Sequence, residues 1–180
     1  LEKNEYWIEW TSKGKGITGE VDRHNLQLDI DPIKLRQQKF EVYSRYCQNG
    51  DIKLFPESVE IIELFKTSYP VAIASGSWKH DIGAILENAG VAHLFDKILG
   101  KESAEKEKPH PEIFLNAAKA LQCSASKCIV IEDALKGLSA SKAAGMSCII
   151  IRNQLNQNID FSGADLIFPS LFDFLTTLKS

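Results

Sequence analysis

Three short stretches of the sequence carry residue types that can do chemistry. Ser75, Gly76 and Ser77 follow the apolar run VAIA and precede a helical pattern. Backbone N–H groups at a helix start and a nearby hydroxyl favour an anion. A serine N-cap with a turn glycine would use the same residues. Glu132 and Asp133 follow the apolar run CIVI. Adjacent carboxylates repel each other, and magnesium relieves this with carboxylate oxygens, waters and a substrate phosphate as ligands. The alternative is that Asp133 caps the helix that follows. Lys108 opens KPHPEIF, held by one proline with a second proline just before a helix. Its compact ammonium can face a phosphate and a carboxylate at once. The alternative is a solvated lysine in the charged run KESAEKEKP.

The surrounding elements must place these residues together. From residue 57 onward helices and strands alternate. ESVEIIELFKTS reads as an amphipathic helix, PVAIAS as a strand, and KHDIGAILENAG as a helix ending at Gly90. FDKIL, KCIVIE, SCIII and ADLIF read as further strands. PEIFLNAAKALQ, LKGLSASKAAG and LFDFLTTL read as helices. The strands are continuous apolar runs, the pattern of a parallel sheet covered on both faces. In such folds ligands bind beyond the carboxyl ends of the strands. Ser75 and Glu132–Asp133 stand at such ends. Upstream, SKGKGITGE reads as a glycine-rich loop. In DPIKLRQQKFEVYSRYCQ, Asp31 is placed to cap a helix that has Pro32 at its first position.

Serine after one strand, lysine before a helix and a carboxylate pair after the next strand make a joint pattern. VAIASGS, KPHPEIF and VIEDALKGLSASKAAGM resemble the second, third and fourth motifs of the haloacid dehalogenase-like (HAD-like) superfamily of phosphohydrolases. The resemblance runs from about residue 51 to 180 and is nearest to β-phosphoglucomutase and the sugar-phosphate phosphatases. It implies a Rossmann-like α/β core over 55–180 and a small helical cap within 1–54. It also implies roles. Ser75, Gly76, Ser77 and Lys108 would bind the phosphoryl group. Ser75 and Lys108 would serve catalysis, and Glu132 and Asp133 would hold Mg2+. A dehalogenase needs no magnesium and would leave that pair without a role.

The family's first motif is an aspartate pair on the central strand, ahead of the cap. Its first aspartate attacks phosphorus and its second is the general acid and base. Here the cap pattern begins at residue 1, so the expectation is that the nucleophile and the first strand lie outside these 180 residues. The phosphatase activity would then belong to the parent protein, and these residues alone would be inactive. Asp29 and Asp31 have the spacing of that pair, but proline follows them and Leu26 and Leu28 alternate with Gln27, so no buried strand precedes them. In the cap, Arg45 falls near a lysine that grips the distal phosphate in β-phosphoglucomutase, and Gly19 falls near the corresponding arginine. That loss argues for a phosphatase over a phosphotransferase. Lys15, Gly16 and Thr18 are further cap candidates. The competing class is an inert fragment or a non-enzymatic binding protein.

Bulk properties narrow the field. With 180 residues, 44% hydrophobic, 25% charged and a net charge of −3, the chain reads as one ordinary soluble domain, or as a core with a small attached subdomain. No basic block points to nucleic acid or a membrane surface, and no signal peptide or spanning run is visible. Cys47, Cys123, Cys128 and Cys148 form no CxxC pair, so they read as reduced cysteines of a cytoplasmic protein. The implied partner is a small phosphorylated metabolite.

Overall fold

The computed structural model describes residues 31–180. Among them six α-helices and five short strands follow one another in the order α1 (Pro32–Gln48), α2 (Ser58–Lys66), β1 (Ala72–Ala74), α3 (Lys79–Asn88), β2 (Lys97–Leu99), α4 (Glu112–Ala120), β3 (Ile129–Glu132), α5 (Leu135–Ala143), β4 (Ser147–Ile151), β5 (Leu166–Phe168) and α6 (Leu171–Leu178). Every strand pair is parallel, β1 with β2, and β3 with β4 with β5. This is the α/β architecture that the continuous apolar strands called for.

The period of two along each strand divides the core. On β4, Ile149 and Ile151 face Ile61 of α2 and Phe174 and Leu175 of α6. Cys148 and Ile150 face the opposite way, toward Phe114 of α4 and Leu138 of α5. Ile73 and Ile98 join Ile82 and Leu86 of α3 in a third cluster. Each isoleucine that is wholly removed from water contributes ~1.5–3 kcal/mol, so helices on both faces are what make these strands stable.

Local signals set the helix ends. The Asp31 side chain accepts from the Ile33 N–H at 2.9 Å, with Pro32 at the first helical position. Gly90 ends α3 in the left-handed region, at φ +72°. Gly100 is needed for a different reason. A Cβ there would lie 2.4 Å from the Lys79 nitrogen and 2.8 Å from its Cα, so the loop after β2 could no longer touch the start of α3. Both contacts are backbone and cannot rotate aside. Gly100→Ala should cost ~1–3 kcal/mol as an overpacked contact, read as a lower urea midpoint with an unchanged slope.

Helix α1 packs against α3. The Ser44 hydroxyl donates to Asp81 at 2.5 Å, and the Asn88 amide donates to the Cys47 carbonyl at 3.0 Å. Asp81 and Cys47 are both buried. Farther along α1, Arg36 pairs with Glu107 at 3.2 Å, and Glu107 also pairs with Lys101. These contacts tie α1 to the loop that carries Lys108.

Candidate active site

The carboxyl ends of β1 and β3 and the loop before α4 open into one cleft. Ser75, Gly76, Ser77, Lys108, Glu132 and Asp133 all line it. The topology explains the convergence. Parallel strands point their carboxyl ends to the same edge, so residues far apart in sequence meet there.

Ser75 is not a helix cap. Helix α3 starts at Lys79 with Trp78 at its N-cap position. The Ser75 amide donates to the Leu99 carbonyl at 3.0 Å, which anchors the residue to β2. Its hydroxyl accepts from the Ser77 N–H at 3.1 Å and so shapes a tight turn. The Tyr43 phenol of α1 shares a side-chain hydrogen bond with Ser77, and burial pushes that phenol's pKa up.

Lys108 is not a solvated lysine. Its Nζ lies 2.5 Å from Glu132 Oε1, and the two side chains are only 11% and 13% exposed. The ammonium also sits 4.3 Å from the centre of the buried Phe114 ring. The Lys108–Pro109 peptide is cis. The other oxygen of Glu132 accepts from the Asp133 N–H at 3.2 Å. Glu132 is thus held from two sides.

Asp133 does not cap α5, because Ala134 occupies that position and the helix begins at Leu135. Its Oδ2 accepts from the Asn153 amide at 3.1 Å. Its carbonyl accepts from Asn156 at 2.9 Å, and Asn156 also donates to the Ile151 carbonyl at 3.1 Å. Asn156 is fully buried and joins the ends of β3 and β4. Burial, and then the neighbouring Glu132 charge, raise the Asp133 carboxyl above the usual aspartate range. Lys136, on the first turn of α5, also lines the cleft, and burial, then the Lys108 ammonium, hold its pKa below the usual lysine value.

Residues 3–151 match the family described as haloacid dehalogenase-like hydrolase. The chain belongs to this family. It is 37% identical over 133 residues to SUPPRESSOR OF QUENCHING 1, a chloroplastic protein of Arabidopsis thaliana, covering 72% of this chain and 13% of that one. It is 30% identical over 126 residues to fructose-1-phosphate phosphatase YqaB of Escherichia coli, covering 70% of this chain and 66% of that one. The chain therefore spans only part of each relative. The fold is that of CbbY from Rhodobacter sphaeroides, solved in complex with phosphate, with a TM-score of 0.80, 24% identity and coverage of 99% of this chain and 82% of that one.

Within this haloacid dehalogenase-like chain, the cap candidates fare differently from the core ones. Arg45 is exposed on the last turn of α1 and does not line the cleft. Lys15, Gly16, Thr18, Gly19 and Asp29 lie outside the described residues. Sequence reasoning missed Asn153 and Lys136. Asn153 follows β4, and the strand-end rule that found Ser75 would have found it. Lys136 stands three residues after Asp133 and so shares its side of the helix start.

Gly137 supports the pair from below. A Cβ there would come within 2.1–2.4 Å of the Glu132 carboxyl atoms. These atoms end a flexible side chain, so they would move rather than the backbone. Gly137→Ala should therefore leave the fold standing and push Glu132 away from Lys108. Removing a charge-assisted contact of this kind costs ~1.5–3 kcal/mol, so phosphate affinity should fall about tenfold or more. Titration calorimetry with inorganic phosphate and magnesium checks this.

Proposed function

We propose that this haloacid dehalogenase-like chain carries the substrate site of a magnesium-dependent phosphohydrolase acting on a small phosphorylated metabolite, a sugar phosphate. The observation behind this reading is the cleft, in which the Ser75 turn, Lys108 and the Glu132–Asp133 pair converge. Ser75 and the amides of Gly76 and Ser77 bind phosphate oxygens. Lys108 neutralises charge on the phosphoryl group and on the attacking carboxylate. Glu132 holds the lysine in place.

The attacking aspartate is supplied by a segment outside these 180 residues. Among the described residues β1 and β3 are each hydrogen-bonded along one edge only, and Ile129 and Ile131 of β3 are 60% and 42% exposed. A strand laid between β1 and β3 would cover these side chains and bring an aspartate to the same sheet edge. Its carboxylate oxygen bonds to phosphorus as the ester P–O bond breaks, and the sugar hydroxyl leaves with a proton from a general acid. Water then cleaves the acyl phosphate and regenerates the carboxylate.

The residues present fit magnesium. Two hard carboxylate donors sit side by side, and Asp133 carries a burial and repulsion cost that a divalent cation would relieve. Among the described residues no cluster of three or more acidic, histidine or cysteine side chains forms a closed cage. Magnesium commonly keeps waters and takes phosphate oxygens, so two protein carboxylates suffice. Asp133 and Glu132 would hold it, directly or through water. Bound there, it supplies positive charge against the phosphate oxygens.

Helix α1, with the rest of residues 1–54, acts as the cap that excludes water and selects the substrate. Arg45 takes no part in the cleft in this arrangement. Four unpaired cysteines and the absence, among the described residues, of a helix long and apolar enough to cross a membrane accord with a cytoplasmic setting. The test is a sugar-phosphate screen with magnesium on the parent protein and on these 180 residues. The expected result is phosphate release by the parent and phosphate binding without turnover by the 180 residues. Failure of phosphate plus magnesium to raise the melting midpoint of either would refute the reading.

A further inference from the structure

Most of the charged groups that line the cleft have a partner in contact, and Asp133 has the Asn153 amide. Glu132 is taken by Lys108 at 2.5 Å. Glu107 is taken by Lys101 and by Arg36. The Arg152 guanidinium donates to the Asn156 and Gln157 carbonyls at 3.0 and 2.9 Å and lies 5.3 Å from the Phe161 ring centre. Lys106 is exposed and hydrated. Lys136 is different. It lines the cleft, its residue is partly buried, and among the described residues no carboxylate is in ion-pair contact with it, although the Glu132 and Glu107 charges attract it from farther off.

Such a lysine carries a cost. A partly desolvated ammonium with no counter-charge in contact is disfavoured. Its place at the second position of α5 adds to this, since the positive end of the helix dipole repels it. A sequence could remove both costs by placing an uncharged residue there. An anion arriving in the cleft would remove them as well. The scissile phosphoryl group already has Lys108 and the Ser75 turn.

Resting on the phosphohydrolase reading above, we propose that Lys136 is a specificity-determining residue that holds a second anionic group of the substrate, a carboxylate or a second phosphate. The site then prefers a metabolite with two anionic groups over one bearing the scissile phosphate alone. One charge-assisted contact to the second group is worth about tenfold or more in affinity.

The test is calorimetric titration of the protein in magnesium with inorganic phosphate, fructose 1-phosphate and fructose 1,6-bisphosphate, used as probes. The bisphosphate should bind at least about tenfold more tightly than the monophosphate. In Lys136→Met that ratio should fall toward one, and Lys136→Arg should keep it. A ratio near one in the unmodified protein overturns the proposal, as does a ratio that survives in Lys136→Met. If none of the three probes binds, the phosphohydrolase reading itself fails and Lys136 loses its role with it. Lys136→Met should melt no lower than the unmodified protein, because no partner is orphaned. A clear loss of stability would show a structural role and overturn the assignment.

Discussion

Lys108→Met is expected to destabilise the protein by ~3–5 kcal/mol, the usual cost of removing one partner from a buried ion pair. The pair qualifies as buried, with side chains 11% and 13% exposed and 2.5 Å apart. Methionine would still fill the space against Phe114, so lost packing would account for little of the change. The cost would come from Glu132, left charged next to Asp133 with no cation in contact and only Lys136 farther off. The double variant Lys108→Met/Glu132→Gln removes that stranded charge and should regain most of the loss. Urea unfolding of the two variants measures this. A loss below ~1 kcal/mol for the single variant would place the pair among solvent-screened ones. Both variants should lose the stabilisation that phosphate gives the unmodified protein, since neither keeps the cation at the phosphoryl site.

Asp133→Asn should do the opposite to stability and the same to function. In the folded protein, burial and Glu132 raise the Asp133 carboxyl above its unfolded value. The folded state then keeps its proton more tightly than the unfolded one. Stability from this group falls as pH rises from the unfolded value to the folded one, and stays low at neutral pH. Asparagine has no such cost and can still meet Asn153. The variant should therefore melt higher than the unmodified protein in metal-free buffer at pH 7, and the gap should close on acidification. Magnesium at a hundredfold excess over its Kd adds ~2.7 kcal/mol to a protein that binds it only when folded. The unmodified protein should show that rise, and Asp133→Asn should not. Differential scanning calorimetry with and without magnesium separates the two effects. An equal magnesium response in both proteins would remove Asp133 from the metal site.

The sequence by itself determined the elements and the edge at which the chemistry gathers. SCIII is the strand β4 residue for residue, Ser147–Ile151, because a short run ending in three isoleucines, between a glycine turn and a polar loop, favours a buried strand. Asp31 and Pro32 marked the start of α1, and Gly90 the end of α3, because these signals act over a few residues. Parallel pairing followed from strands that are apolar on both faces, and it carried Ser75, Lys108 and Glu132–Asp133 into one cleft. FDKIL was read two residues too long, since strand β2 begins at Lys97, where pairing with β1 begins.

Only the tertiary structure decided how these residues are used. Ser75 and Asp133 could each have been a helix cap, and the helices start one turn and two residues later, respectively. Lys108 could have been solvated, and packing over Phe114 against Glu132, 24 positions away, made it a buried cation. Arg45 had the right chemistry, and the rotation of α1 placed it outside the cleft. Lys136 drew no notice in the sequence, and the fold placed it in the cleft with no carboxylate in ion-pair contact among the described residues. Periodicity and caps are local, so they are written in order along the chain. The partner of a charge depends on which side chains reach it across the fold, and no run of neighbouring residues encodes that.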